Sequence, residues 1–430
     1  MMKVNYWVLY SLFGIAFTFT ACVNDGKDLS LPTDLEEKTA ELNIPADFGW
    51  IVTRGVTLEV NAPEESVLWV YADADCSESS LKAKLSVFPE QVTRVTVDIP
   101  TANNVLYLEY PISATETKVV KVDLAEVIPS SRAAKEETIL PVGENMLYGM
   151  YHFEVGKDEK GLAVIINSGT LVFEDSWPDL GDYDFNDLVA DYSIATHVST
   201  GNEAQYQNER IDVSVTIRAI GGNLPSKLGL TFTGNIYGQL LQRHIADFED
   251  VTQNGLTVKL ADNDQGDVAP VFLIEGLKEL KNGKDFYNTE EHNVQRAATV
   301  NFSIYTKKGG SAEASTGFTQ ASSVINQDLF LVTTRNREIH LRGYQPTSLY
   351  TAYTTDAATS KDIVMNPDMA YSTDKNLVWG MKVIKDFQFP LEKVDINKAY
   401  KGFKAWVESS GDDFYANWYK NPVTGQVATW

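Results

Sequence analysis

Apolar residues recur at every second position through much of the chain, a period that predicts extended strands. Between Ala46 and Pro129, Val56, Leu58 and Val60 alternate with polar neighbours, as do Val95, Val97 and Ile99, then Val120, Val122 and Leu124. Val67–Tyr71 and Val105–Tyr110 are denser apolar runs, expected of strands nearer a sandwich centre. Turn residues (Asn61-Ala62-Pro63, Asp98–Pro100, Ala102-Asn103-Asn104) recur at short intervals. Together these predict an Ig-like antiparallel β-sandwich of roughly seven strands over residues 46–129. Residues 130–146, with the charged run Lys135-Glu136-Glu137, read as a linker.

The remainder, 147–430, is predicted to be a larger antiparallel β-rich domain. Its strand candidates are Met150–Val155, Leu162–Ile166, Ile211–Ile217, Lys227–Phe232, Leu256–Leu260, Val271–Ile274, Ala298–Tyr305 and Leu329–Leu341. Within the last, Leu329–Thr333 and Glu338–Leu341 are spaced for a hairpin. One segment has a helical period. Ile396, Ala399, Tyr400, Phe403 and Val407 fall on one face, with Asp395 placed to cap the start and Gly411 to end it. This predicts a single C-terminal amphipathic helix lying on a sheet.

The chemistry concentrates between two alternating runs, Leu171–Phe173 and Leu188–Tyr192, which read as paired strand halves. The turn joining them carries Glu174, Asp175, Asp179, Asp182, Asp184, Asn186 and Asp187. So many carboxylates in one turn repel one another unless a cation, water or backbone N–H groups compensate. Hard oxygen donors suit Ca²⁺, which takes about six to eight of them from a flexible loop. Asp182-x-Asp184-x-Asn186 matches the first ligands of an EF-hand, but Asp187 stands at its glycine position and Ser193 at its closing glutamate. The candidate ligands are therefore those of another oxygen cage: Asp182, Asp184, Asn186 and Asp187, with Glu174 or Asp175 from the preceding strand. The same residues also suit Asx-turns, whose side-chain oxygens accept backbone N–H groups and need no ion. Asp191, where the strand has resumed, is expected to point outward. The acidic run Asp262–Asp267 reads as a hairpin turn, and Asp412-Asp413 carries less weight still.

Targeting and composition narrow the function classes. Lys3 followed by uncharged Tyr6–Phe19 is shorter than the ~20 residues a membrane-spanning helix needs. Thr20-Ala21-Cys22 then reads as a lipoprotein signal, with residues 1–21 removed and Cys22 acylated by a diacylglycerol lipid. Polar residues 22–45 read as a tether. Cys76 would then have no partner, so the exported chain must rest on its core. A formal charge of −23 disfavours nucleic acid. The histidines (His152, His197, His244, His292, His340) are scattered, and neither a nucleophile elbow nor a phosphate-cradling glycine loop is present. The chain is expected to be no enzyme. Trp177, Trp379, Trp406, Trp418 and Trp430 could fill cores or stack on sugars. Trp406 is expected in the core, and Trp418 and Trp430 are left open.

The stretch GDYDFNDLVADY, preceded by FED and a tryptophan, resembles the signature of the LruC-domain family of bacterial envelope lipoproteins. LFLVTTRNREIHLRGYQPT, LVWGMKVIKDFQFPLEKVDINKAYKGFKAWVESSG and NWYKNP follow in the family's order, so the resemblance covers roughly residues 147–430. It implies an envelope lipoprotein domain of largely undefined biochemical role, and no catalytic residues come with it. The expectation is a lipid-anchored outer-membrane protein of undecided face, serving as an adhesin or structural module for a protein partner. The alternative is a glycan-binding accessory lipoprotein of a nutrient-capture system; a hydrolase ranks last.

Overall fold

In the computed structural model, the described residues are 38–124, 139–155, 162–200, 206–233, 241–242, 245–262, 268–290, 294, 297–305 and 327–429. The signal segment, Cys22, most of the Asp262–Asp267 run and Trp430 lie outside them. The fold is mainly β and antiparallel, as the period-two pattern predicts. The first half contributes β1 (Thr53–Val60), β2 (Ser66–Tyr71), β3 (Leu81–Val87), β4 (Thr93–Pro100), β5 (Val105–Pro111), β6 (Thr117–Asp123) and β7 (Ile139–Val142). Then come β8 (Leu162–Phe173), β9 (Leu188–Thr200), β10 (Tyr206–Ala219), β11 (Pro225–Phe232), β12 (Val251–Gln253) and β13 (Leu256–Leu260). The last are β14 (Val271–Glu275), β15 (Ala298–Tyr305), β16 (Gln327–Thr333), β17 (Glu338–Ile339) and β18 (Gly380–Val383).

These strands make three sheets, ordered β4-β1-β7, β15-β10-β9-β8-β3-β2-β5-β6 and β12-β13-β14-β11-β16-β17. The second sheet runs through both halves of the sequence, because β3 pairs with β8 and β18 joins the far end of β8. β7, inside the stretch that reads as a linker, lies parallel against β1. The small sheet closes over β2, β3, β5 and β6 around a core that includes Val56, Leu68, Leu85, Val97 and Leu108.

Alternation along the central hairpin divides two further cores. Leu171, Phe173, Leu188, Ala190 and Tyr192 face the third sheet. Val172 and Val189, one residue out of phase, face a C-terminal layer with Val383, Phe389, Ile396, Phe403 and Trp418. Period-two geometry puts neighbours on opposite faces, so one strand pair serves two cores.

That C-terminal layer departs from the single expected helix. The periodic face forms two short helices, Ile396–Ala399 and Phe403–Glu408, with extended Tyr400 between them. Asp395 caps the first by accepting from Asn397 N, as its position predicts. The break costs the helical ladder, but it buries Tyr400 between Phe387 and Trp418. Residues at the end of the expected tether are also built into this layer. Thr39 donates from N and Oγ1 to the Asp395 carboxylate at 2.8 and 2.6 Å, and Leu42 and Phe48 join the core. The hairpin of β16 and β17 forms as predicted.

Candidate metal centre

Pairing of Phe173 with Leu188 fixes the ends of the acidic turn at the rim of the central sheet. The turn between them is held by its own side chains. Glu174 Oε1 accepts from Phe185 N at 2.7 Å, and Asp187 Oδ2 accepts from Asp175 N at 2.8 Å. Asp184 Oδ1 accepts from Asn186 N at 3.0 Å, an Asx-turn, while its Oδ2 accepts from Lys393 N at 2.8 Å. Asp175 Oδ2 reaches Leu224 N at 2.8 Å. Tyr183 and Phe185 hold positive φ of 59° and 51°, costing on the order of 1–3 kcal/mol each. Both aromatic rings are buried in the C-terminal core, which offsets that strain and leaves Asp184 between them.

Backbone N–H groups thus occupy one oxygen on Glu174 and both on Asp184, and they do not finish the accounting. Glu174 is fully buried, and its Oε2 has no hydrogen-bond partner. Glu174, exposed Asp182 and buried Asp184 each bring an oxygen within 4.8 Å of the others'. Asn186 is buried too; its Nδ2 donates to Pro390 O at 3.1 Å, and its Oδ1 is left without a partner. An unpaired buried polar atom costs about 1–3 kcal/mol.

Backbone without side chains surrounds these oxygens. A Cβ at Gly181 would overlap Glu174 Oε2, and one at Gly221 would overlap Asn186 Oδ1 while lying 2.9 Å from Glu392 Oε2. A Cβ at Gly222 would overlap Asp175 Oδ2 and stand 2.8 Å from Asp187 Oδ1. The three glycines leave a cradle lined by oxygen. Of the six candidate ligands, Glu174, Asp182 and Asp184 converge. Asn186 faces Glu392, and Asp175 and Asp187 lie on the Gly222 side.

The electrostatics are those of a site short of positive charge. Burial, then neighbouring Asp187, Asp184 and Asp182, raises the Glu174 carboxyl well above its ordinary range. Burial, with Asp182 adding repulsion, pushes Asp184 up to about 8, and Asp187 rises for the same kinds of reason. Lys281 is a nearby cation, donating from Nζ to Gly222 O at 2.9 Å, and Lys393 acts on Glu392. Burial lowers the Lys281 pKa against the pull of Asp285, Asp175 and Asp187. These two ammonium groups do not outweigh Glu174, Asp175, Asp182, Asp184, Asp187 and Glu392. Oxygen-only donors, several of them carboxylates, fit a hard divalent cation.

Sequence reasoning missed Glu392, some 200 residues away, because nothing local ties it to the turn; only the approach of Pro390–Lys393 does. The expectation for Asp191 needs correction. It is buried, accepts from Thr170 Oγ1 at 2.6 Å and pairs with buried Arg218 at 3.3 Å. Leu188, Ala190 and Tyr192 take the large core, so Asp191 faces inward on the other side. Trp177, Trp379, Trp406 and Trp418 are all buried, Trp418 among Phe387, Tyr400, Phe403 and Trp406. None of these four rings can stack on a sugar. Asp412 acts as a turn residue, its Oδ1 accepting from Phe414 N.

His340 was passed over for want of a neighbouring histidine or cysteine; its partners are acids instead. Fully buried on the β16–β17 hairpin, it lies 2.7 Å from Asp328 and 3.0 Å from Glu338. Burial alone would lower its pKa, but the two carboxylates lift it to about 9.

Residues 208–419 match the model of a domain of unknown function, DUF4842. No curated protein matches the chain. A solved structure, the crystal structure of a "putative lipoprotein from Bacteroides ovatus", is similar in fold, with a TM-score of 0.68 and 22% identity. The similarity covers 85% of this chain and 100% of that one. Among the described residues, no helix is long and apolar enough to cross a membrane.

Proposed function

We propose that this chain is a lipid-anchored cell-envelope protein of the LruC kind, without catalytic chemistry, whose acidic cradle holds Ca²⁺. The cation ties together three segments: the Glu174–Asp187 turn, the Gly221-Gly222 backbone and Pro390–Lys393. It thereby fixes the C-terminal layer to the central sheet and presents a stiff surface to a protein partner, as an adhesin or structural module would. The lipid anchor on Cys22 is supported by the signal layout and by the name of the similar Bacteroides ovatus structure. The single observation that carries the metal reading is Glu174, whose Oε2 is buried and unpartnered and whose carboxylate converges with those of Asp182 and Asp184. With Trp177, Trp379, Trp406 and Trp418 buried, adhesion to protein ranks above sugar capture.

The test is thermal unfolding with Ca²⁺ or chelator, on wild type, Asp184→Ala and Asp182→Asn. Ligand linkage predicts ~2.7 kcal/mol of added stability when free Ca²⁺ is a hundredfold above its dissociation constant. Both substitutions should abolish the gain. Asp182→Asn is the cleaner of the two, because Asp184 also holds two backbone N–H groups. A wild-type melting curve indifferent to chelator would sink the metal reading. A mass spectrum of the mature N-terminal peptide without acyl chains on Cys22 would sink the anchor.

A further inference from the structure

A second concavity lies away from the acidic turn, where the end of β11 meets the loop after β17. Its volume is about 710 Å³, within the range of small-molecule sites. The apolar side of the lining comes from Phe232, Val268, Ala269 and Pro346, and among the described residues that line it none is a carboxylate. Among those described residues the charged side chain is Arg342.

Arg342 is held in place. Its Nε donates to Asn376 Oδ1 at 2.8 Å, and Asn376 is itself fastened through Nδ2 to the carbonyls of Pro45 and Phe48. No acid of the described residues pairs with it, and burial is what lowers its pKa, with no carboxylate acting against it. A guanidinium fixed at Nε keeps its two terminal nitrogens, the pair that grips a carboxylate in parallel. The facing rim is also fastened. Thr347 donates from N and Oγ1 to buried Glu338 at 2.7 and 2.6 Å, and Gly343 N donates to Ala370 O at 2.9 Å. The walls are therefore preformed, which reduces the ordering cost of binding.

We propose that this cleft binds a small organic carboxylate, its apolar body against Phe232, Val268 and Pro346 and its carboxylate on Arg342. The probe is cis-parinarate fluorescence on the whole protein, with octanoate and 1-octanol as competitors. Expected are one saturable site and displacement by octanoate at a concentration about tenfold or more below that needed for octanol. A charge-assisted hydrogen bond of ordinary strength sets that ratio. Arg342→Gln should weaken parinarate by a similar factor at unchanged melting temperature, and Ala269→Trp, which fills the cleft and spares Arg342, should abolish binding. Wild-type affinity in a folded Arg342→Gln protein, or equal competition by octanol and octanoate, overturns the proposal. Should Arg342→Gln fail to fold, Ala269→Trp decides: retained parinarate binding in that folded variant overturns it, and lost binding together with octanoate preference supports it. None of these readouts depends on Ca²⁺.

Discussion

Lys382 on β18 and Glu174 at the end of β8 lie on strands that are hydrogen-bonded to each other, and both carry charge into the interior. Around Lys382 the opposite charge is present. Its ammonium reaches Asp98 at 2.6 Å and Asn167 Oδ1 at 3.0 Å, Asn167 Nδ2 donates to Gln327 at 2.7 Å, and Tyr192 OH reaches Asn167. Around Glu174 the acids gather without a matching base, and an oxygen stays unpaired. A buried network closed on itself is architecture, since nothing is left for a ligand to satisfy. A network open at one atom, in a cradle shaped by missing side chains, is where a ligand completes the structure. The difference lies in the completeness of pairing, because both regions are buried and polar.

The largest expected effect comes from opening the closed network. Lys382→Met strands buried Asp98, and breaking such a pair costs about 3–5 kcal/mol in chemical denaturation. Replacing both, Lys382→Met with Asp98→Leu, should recover most of that loss. The Ca²⁺ increment should survive in either variant; if it vanished, the two regions would not be separate devices.

His340 sharpens the comparison through pH. Its folded pKa of about 9 lies above the ordinary 6.5, so the native state holds its proton longer than the unfolded chain. The stabilisation is fully present below about pH 6.5 and is lost as pH rises through about 9. Denaturation midpoints should fall across that window, by an energy on the order of 3 kcal/mol, and His340→Gln should flatten the fall. An equal decline in both proteins would reject the assignment.

Gly181→Ala probes the open cradle. The new methyl must displace Glu174 Oε2, so a loss of roughly 1–3 kcal/mol is expected, as for other overpacked sites. The Ca²⁺-induced rise in melting temperature should disappear with it. A fully retained rise would place the cation elsewhere.

The smallest effect is the most discriminating. In chelator, Asp182→Asn should change stability by no more than about 0.5 kcal/mol, because the side chain is exposed. A marked destabilisation under those conditions would mean that Asp182 holds the fold, and that the cradle resembles the Lys382 network after all.

Much of this was legible along the chain. The strand halves at Leu171–Phe173 and Leu188–Tyr192 pair as their alternation predicts, and the acids between them are local enough to be read together. The helical period from Ile396 to Val407 identified the right buried face, although Tyr400 breaks the helix to reach Phe387 and Trp418. Glu392, the three glycines and the inward turn of Asp191 could not be read this way. Nor could the continuity of β3 with β8, which joins two stretches that look separable by composition.

By itself, then, the sequence determined the strands, their faces and the local supply of oxygen ligands, because those follow from residue spacing over a few positions. Tertiary structure alone decided which oxygens converge, which remain unpaired and which tryptophans are beyond a ligand's reach. The physical reason is range: periodicity records the environment of neighbours in the chain, whereas pairing and burial are settled by groups hundreds of residues apart.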